Sequence, residues 1–323
     1  MGRKLDACKA LRRAAVLVVV PCLVGSATLA AQAHVYTVDA SELYRDACSP
    51  CHGHLGDGNG SGARLLGTPQ PRDFTLGVYK FRTTPTGSLP ADADLLRAIS
   101  EGVPGTWMPP WKDLLSEDEL WALVRYIKGF SEFFAVEEPD PSVRIPQERA
   151  STPELVEEGR LVYAALRCAQ CHGPLGRGDG PSADELTDDW DREIIPYDFT
   201  QGGYKAGSAP IDIYRTLATG LNGTPMPAFE RDIVLFPGGP EIDIGSMSEG
   251  FDPAIIQQLR PFVDAQPTAS QIGAMSEAEA ERLAEDRMWA LVHYVRSLDR
   301  PESLFQRLFR GKPDLRSGGG IGR

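Results

Sequence analysis

Residues 48–52 read Cys-Ser-Pro-Cys-His, and residues 168–172 read Cys-Ala-Gln-Cys-His. Two thiols three positions apart on one helical turn, followed by an imidazole, form the attachment signal for a c-type haem. A zinc half-site or a redox dithiol is the alternative for a single Cys-x-x-Cys, but two copies that both end in histidine disfavour it. The sequence therefore predicts two covalent haem c groups, bonded to Cys48, Cys51, Cys168 and Cys171, with His52 and His172 as the proximal iron ligands.

A methionine follows each motif at a similar distance. Met108 follows the first motif and Met226 follows the second, and each stands between Gly-Thr-x and Pro. A loop methionine usually fills a gap in a core. Its recurrence at matched spacing predicts that both sulfurs are axial iron ligands, with Met247 and Met275 as alternatives in the second unit. A thioether ligand raises the reduction potential relative to a second histidine.

Matching landmarks recur along the chain in the same order. Residues 71–80 read Pro-Arg-Asp-Phe-Thr-Leu-Gly-Val-Tyr-Lys, and residues 196–205 read Pro-Tyr-Asp-Phe-Thr-Gln-Gly-Gly-Tyr-Lys. This internal repeat predicts two domains in tandem. We place the boundaries as follows: a signal peptide at 1–33, a first domain at 34–135, a Pro-rich linker at 136–152, a second domain at 153–299 with an insertion at about 231–281, and a basic, partly disordered tail at 300–323.

The secondary structure is expected to be all-α with long loops. No segment shows sustained alternation of strand type, whereas 33 glycines and 26 prolines indicate many loops. Ser116-x-x-Glu119 and Ser276-x-x-Glu279 are capping boxes that open the last helix of each unit. The second of these helices should be longer or be preceded by another turn, because its capping box lies farther from the closing tryptophan, Trp289, than in the first unit. A short helix is also expected at residues 254–259, within the insertion.

The arrangement resembles class I cytochromes c, with Cys-x-x-Cys-His early in each unit, then a Met-Pro loop, then a closing helix that carries an aromatic residue. The Pro71-Arg-Asp-Phe-Thr stretch and the Gly-Thr-Trp-Met-Pro loop are similar to those of dihaem c-type cytochromes that accompany periplasmic respiratory enzymes. The resemblance implies two class I domains, each with one haem c. The insertion and Tyr197, which stands where the first unit has Arg72, depart from the pattern.

Several polar residues are candidates for contacts with the haem propionates, although loop charges are more often simply solvated. They are Arg72, Tyr79, Lys80 and Arg82 in the first unit, and Tyr204 and Lys205 in the second. Neither His54 nor His293 is expected to be an iron ligand: His54 should be solvated or face a propionate, and His293 should lie at the surface. Asp57 and Asp179, in glycine-rich loops, are expected to form turns rather than to bind calcium.

The N-terminus is typical of an export signal. Residues 1–13 hold five basic residues and one acidic residue, an apolar run follows, and Ala31-Gln-Ala33 matches a cleavage site. The alternative is an uncleaved membrane anchor. Without residues 1–33 the chain would hold 28 basic and 44 acidic residues, a net charge of −16. Such a surface disfavours nucleic acid and either favours a partner with a basic docking patch or serves solubility alone. Export predicts a periplasmic location.

These features together predict an electron carrier that moves single electrons between a redox donor and an acceptor. An electron-transfer subunit fixed in a respiratory dehydrogenase or oxidase complex is one alternative. A dihaem peroxidase is another, but it would need one haem with an open face, which the two methionine loops disfavour. The insertion could serve as a docking surface or be a passive elaboration.

Overall fold

The computed structural model describes residues 38–66, 69–229, 231–234 and 253–299. Within these ranges the regular structure is helical, and the one β-type pairing is an isolated bridge between Thr187 and Glu193. The all-α prediction is therefore confirmed. None of the described helices is long and apolar enough to cross a bilayer. The predicted signal peptide, the basic tail and Met247 lie outside the described residues.

The first domain is built from short helices around the first haem motif. Their bounds are α1 Ala40–Ala47, α2 Ser49–His52, α3 Ala63–Leu66, α4 Asp92–Glu101, α5 Glu117–Lys128 and α6 Phe133–Val136. Helices α1 and α4 both pack against α5. The cause is an apolar stripe along α5 at i, i+3, i+4 and i+7 spacing, whose members Leu120, Leu123, Val124 and Ile127 are all buried.

The second domain repeats this order and adds the insertion. Its helices are α7 Pro153–Ala165, α8 Ala169–His172, α9 Pro210–Thr219, α10 Pro253–Asp264, α11 Ala269–Ala274 and α12 Glu277–Ser297, with 3-10 turns at Ala183–Glu185, Phe199–Gln201 and Arg231–Val234. At 21 residues, α12 is longer than the 12-residue α5, as predicted. Both capping boxes are present. The helix expected at 254–259 lies within α10.

Close contact between α7 and α12 forms the centre of the second domain. Gly159 allows it, because a Cβ at that position would collide with the carbonyl oxygen of Ala290. The neighbouring Trp289 on α12 is 1% exposed. His293 is also buried, with Nε2 2.7 Å from the carbonyl oxygen of Arg149, so the prediction that it faces solvent is wrong. The linker covers this part of α12, a contact that the helix sequence alone does not encode.

A buried arginine anchors the described parts of the insertion. Arg287, on α12, donates hydrogen bonds to the carbonyl oxygens of Ile233 and Val234 and to the side chain of Gln266. Burial lowers its pKa to about 10. The insertion is thus bound to the same helix that closes the second haem domain.

The two haem domains and the linker between them are joined by hydrogen bonds. Thr86 and Gly87 of the first domain contact the Asn222 side chain of the second, at 3.1 and 3.2 Å. In the linker, the Val143 N–H donates to the carbonyl oxygen of Thr83, and Arg144 forms ion pairs with two glutamates of α12. The predicted linker therefore lies against both domains.

Candidate functional site

Each Cys-x-x-Cys-His motif forms one helical turn. The N–H of His52 donates to the carbonyl oxygen of Cys48, and that of His172 to the carbonyl oxygen of Cys168, both at 2.9 Å. All four motif thiols are free and half-buried. Burial raises the pKa of Cys48 to about 11 and that of Cys168 to about 12. Reactive dithiols have lowered pKa values, whereas the pKa values of Cys48 and Cys168 are shifted in the opposite direction.

The two motif histidines are oriented in the same way. Nδ1 of His52 lies 3.0 Å from the carbonyl oxygen of Arg72, and Nδ1 of His172 lies 3.2 Å from that of Tyr197. A carbonyl can only accept, so Nδ1 carries the proton and Nε2 keeps its lone pair. Burial also lowers the pKa of both imidazoles. Each ring is therefore held in the tautomer that an iron ligand needs.

A phenylalanine stacks on each of these imidazoles. The ring centroids are 4.5 Å apart for His52 and Phe74 and 4.4 Å apart for His172 and Phe199. The Asp-Phe-Thr stretch that contains each phenylalanine is a turn closed by its aspartate, as in the 2.8 Å bond from the Thr75 N–H to Asp73. In the sequence this stretch marks the repeat and the resemblance to dihaem cytochromes, but a role for its phenylalanine was not predicted. The recurrence of Asp-Phe-Thr after both haem motifs is the sequence signal that could have predicted a phenylalanine stacked on each histidine.

The glycine-rich loops wrap around the motifs. The N–H of Gly58 donates to the carbonyl oxygen of His52, and that of Gly178 to the carbonyl oxygen of His172, both at 2.9 Å. Asp57 accepts from the N–H of Asn59 at 3.1 Å, as a turn requires. Across the described residues, no group of three or more His, Cys, Asp or Glu side chains is arranged to hold a metal ion.

The two methionine loops share one hydrogen-bonding pattern. In the first, the N–H of Val103 donates to the carbonyl oxygen of Met108, while Thr106 donates its hydroxyl to the Val103 carbonyl and accepts from the Met108 N–H. Leu221, Thr224 and Met226 make the same three bonds in the second loop. Two unrelated loops would not share these contacts, so each threonine has the same role of holding its methionine.

A glycine in the left-handed region precedes each methionine loop. Gly102 has φ +67° and Gly220 has φ +61°, and a Cβ at either would collide with the backbone of the loop. Each therefore ends its helix and lets the methionine backbone pack against the helix end. Gly102 follows α4 and Gly220 follows α9.

One cavity in the first domain contains the predicted haem-binding residues. Cys48, Cys51, His52 and Met108 all line it. The hydroxyl of Tyr79 and Nε1 of Trp111 also belong to lining residues, and both atoms are buried without a hydrogen-bond partner among the described residues. Buried donors are nearly always satisfied. A haem fits this cavity, because its carboxylates would satisfy such donors and its ring would cover the apolar wall.

In the second domain, Met226 is half-buried and packs against the same core cluster as Cys168. Met226 also lines a second cavity, between the domains, with residues such as Gly77 and Asn222. Met275, the alternative ligand that lies in the described part of the insertion, is at the end of α11. His54 is exposed, as expected.

The structure separates the propionate candidates. Arg72, Tyr79 and Lys80 line the first cavity, but Arg82 does not. The guanidinium of Arg82 donates instead to the carbonyl oxygens of Tyr79, Pro85 and Thr219. Its side chain therefore serves the contact between domains.

In the second unit, both candidates have contacts that the repeat does not predict. The Tyr204 hydroxyl donates to the carbonyl oxygen of Val295 at 3.1 Å, whereas the hydroxyl of its counterpart Tyr79 has no described partner. Lys205 lines the cavity of the first domain. Tyr197, in place of Arg72, donates to the carbonyl oxygen of Gly202.

Two protein families match the chain, one for each domain. The family described as cytochrome c oxidase, cbb3-type, subunit III, matches residues 38–127, and the family described as cytochrome c matches residues 156–235. No curated protein sequence matches significantly.

A solved structure is similar over most of the chain. It is a chain of the Kuenenia stuttgartiensis reducing HAO-like protein complex Kustc0457/Kustc0458, which is 39% identical with a TM-score of 0.64. The match covers 82% of this chain and 97% of that one. The protein belongs to the c-type cytochromes, with two cytochrome c domains in tandem. These domains imply haem c binding and electron transfer.

Proposed function

We propose that the protein is a dihaem electron carrier with a His/Met-ligated haem c in each domain. The carrying observation is the duplicated geometry: two imidazoles oriented by a backbone carbonyl, and two methionines held by identical loops. His52 and Met108 would ligate one iron, and His172 and Met226 the other.

A bound haem c would supply reversible one-electron chemistry at its iron. His52 with Met108, and His172 with Met226, would ligate the two irons and leave no position free for a substrate. Stacking of Phe74 on His52 and of Phe199 on His172, and the threonine bonds in the methionine loops, limit movement of the ligands when the charge changes. Single-electron transfer between partners is the chemistry that this arrangement favours.

A periplasmic location and a partner with a basic surface belong to the same proposal. The sequence motif at residues 1–33 supports export, and the predicted net charge of −16 supports docking to a positive patch. The similar Kuenenia stuttgartiensis chain belongs to a complex of two named proteins. This supports a second candidate role, in which the protein is the electron-transfer subunit of a larger redox complex.

Carbon monoxide binding tests the carrier against a peroxidase. The ferrous wild-type protein should bind carbon monoxide slowly or not at all, because Met108 and Met226 would hold the iron positions that carbon monoxide needs. The Met226→Ala variant should have an open position at the second haem and should bind carbon monoxide rapidly. It serves as the positive control. Rapid binding by the wild type, together with saturable peroxide reduction, would contradict the proposal.

A further inference from the structure

The cavity of the first domain has a lining residue that comes from the second domain. Of the residues that line it, Lys205 is the one that lies beyond the linker. By the repeat, this lysine is the counterpart of Lys80, which lines the same cavity. The first cavity is therefore lined by the corresponding lysines of both repeats.

The loop that carries Lys205 is anchored to its own domain through Tyr204 and is closed by bonds within the loop. The Tyr204 hydroxyl donates to the carbonyl oxygen of Val295 on α12. The N–H of Tyr204 donates to the Ser208 hydroxyl at 3.1 Å, and the N–H of Gly207 donates to the Tyr204 carbonyl at 3.0 Å. These bonds close a tight turn around Lys205. Its place in the cavity wall is thus a property of the second domain's fold.

The cavity wall holds more positive than negative charge. Arg72, Lys80 and Lys205 all line it and are half-buried, and none of them forms an ion pair within the described part of the chain. Burial and the neighbouring Arg72 lower the pKa of Lys80 to about 8, with Lys205 acting in the same direction and Asp188 opposing it. Burial also lowers the pKa of Lys205. Like charges in a half-buried place are costly unless an anion joins them.

A second residue of the second domain, Trp190, also contacts one of these basic side chains. The guanidinium carbon of Arg72 lies 4.9 Å from the centre of the Trp190 ring, a cation–π contact between the domains. The unpartnered hydroxyl of Tyr79 lines the same cavity and can donate to an anion. A haem carries two carboxylates at one edge, and these match a wall that holds three cations and a free donor.

We propose that Lys205 of the second domain is a propionate-binding residue of the first domain's haem, so that the second domain raises the reduction potential of the first haem. The proposal rests on the dihaem function proposed above. The potential should rise because a nearby cation stabilises the reduced haem, which carries one more negative charge than the oxidised haem. Lys205 is a positioning and tuning residue, and takes no part in iron ligation.

Redox titration of the intact protein tests this. The two potentials are assigned with Met108→Ala, which should lower the first alone. Lys205→Gln should shift the ferrous/ferric equilibrium of the first haem about threefold toward ferric, equivalent to a fall of about 28 mV at 59 mV per tenfold. Lys205→Arg, which keeps the charge, should retain most of the wild-type value.

Lys112→Gln is the matched control, because it removes the same charge from an exposed lysine paired with Glu101. It should leave the first potential unchanged. A first potential that does not move in Lys205→Gln, or that moves equally in Lys112→Gln, would overturn the inference. Haem content separates the two proposals, since a Lys205→Gln protein with two haems and an unmoved potential refutes only this role. A wild-type protein with one haem refutes the dihaem function itself.

Discussion

The guanidinium of Arg82 lies 2.5 Å from the carbonyl oxygen of Thr219, 137 residues further along the chain. Arg82 is 1% exposed, and burial lowers its pKa to about 10. A buried charge is tolerated only when its donors are satisfied. Here they bind carbonyl oxygens of both haem domains, so one side chain links the stability of the two.

Replacing this arginine should uncouple the domains. Arg82→Met leaves the Thr219 carbonyl without its charged donor and should lower the free energy of unfolding by about 2 to 3 kcal/mol. Denaturant unfolding followed by circular dichroism should become broader or biphasic. The control is Arg125→Met on the exposed face of α5, which should change stability by less than about 0.5 kcal/mol. Equal effects of the two substitutions would contradict the linking role of Arg82.

The threonine of each methionine loop should control the axial ligand. Thr106→Val and Thr224→Val remove a hydroxyl that both donates to a carbonyl and accepts from the methionine N–H. Each loss should lower the free energy of unfolding by about 1 kcal/mol. It should also weaken the near-red charge-transfer absorption band from methionine sulfur to ferric iron at one haem. Thr152→Val, at the N-cap of α7, removes a hydroxyl that accepts from the Leu155 N–H and lies in neither methionine loop, so it is a control that should leave the band intact. An unchanged band in both loop variants would exclude a ligand-positioning role.

The fold and the haem motifs could be predicted from sequence because their signals are local and duplicated. Capping boxes, the apolar stripe of α5 and the Cys-x-x-Cys-His turns depend on residues within a few positions of one another. The methionine loops lie farther away, but the repeat supplies a second copy for comparison. The predicted contacts between polar side chains and the haem propionates stay a prediction. The tertiary fold, and not the neighbouring sequence, sets the direction of each of these side chains.

Contacts between the domains could not be predicted in this way. The repeat assigns Lys205 to the second haem, yet the structure places it in the wall of the first cavity. Arg82 and His293 are buried by partners on other segments, Thr219 and Arg149 respectively. Each depends on a long-range pairing for which the duplicated units offer no second example. The repeat describes each domain separately, so it carries no signal for these contacts.

A buried tyrosine should make stability depend on alkaline pH. Burial raises the pKa of Tyr163 above its ordinary value near 10, and its hydroxyl donates to the carbonyl oxygen of Gly173 at 2.7 Å. Because the folded pKa is raised, the stabilisation is complete below pH 10 and is lost as pH rises, since the unfolded chain releases the proton first.

Tyr163→Phe should remove this part of the pH dependence. Between pH 8 and pH 11, the wild-type protein should lose about 1.4 kcal/mol more unfolding free energy than the variant does, from this one group. At pH 8, the difference in unfolding free energy between the wild type and Tyr163→Phe gives the cost of the lost hydrogen bond, which does not depend on pH. Parallel pH profiles for the two proteins would show that Tyr163 ionises equally in both states.

Haem content of the denatured protein tests the central claim most directly. After acid-acetone extraction, the wild-type chain should retain two haems, because thioether bonds survive the treatment. A Cys48→Ser, Cys51→Ser variant should retain one, bonded to Cys168 and Cys171. A ratio of two haems per chain is the result we predict, and a ratio near one or zero for the wild-type protein would contradict this account.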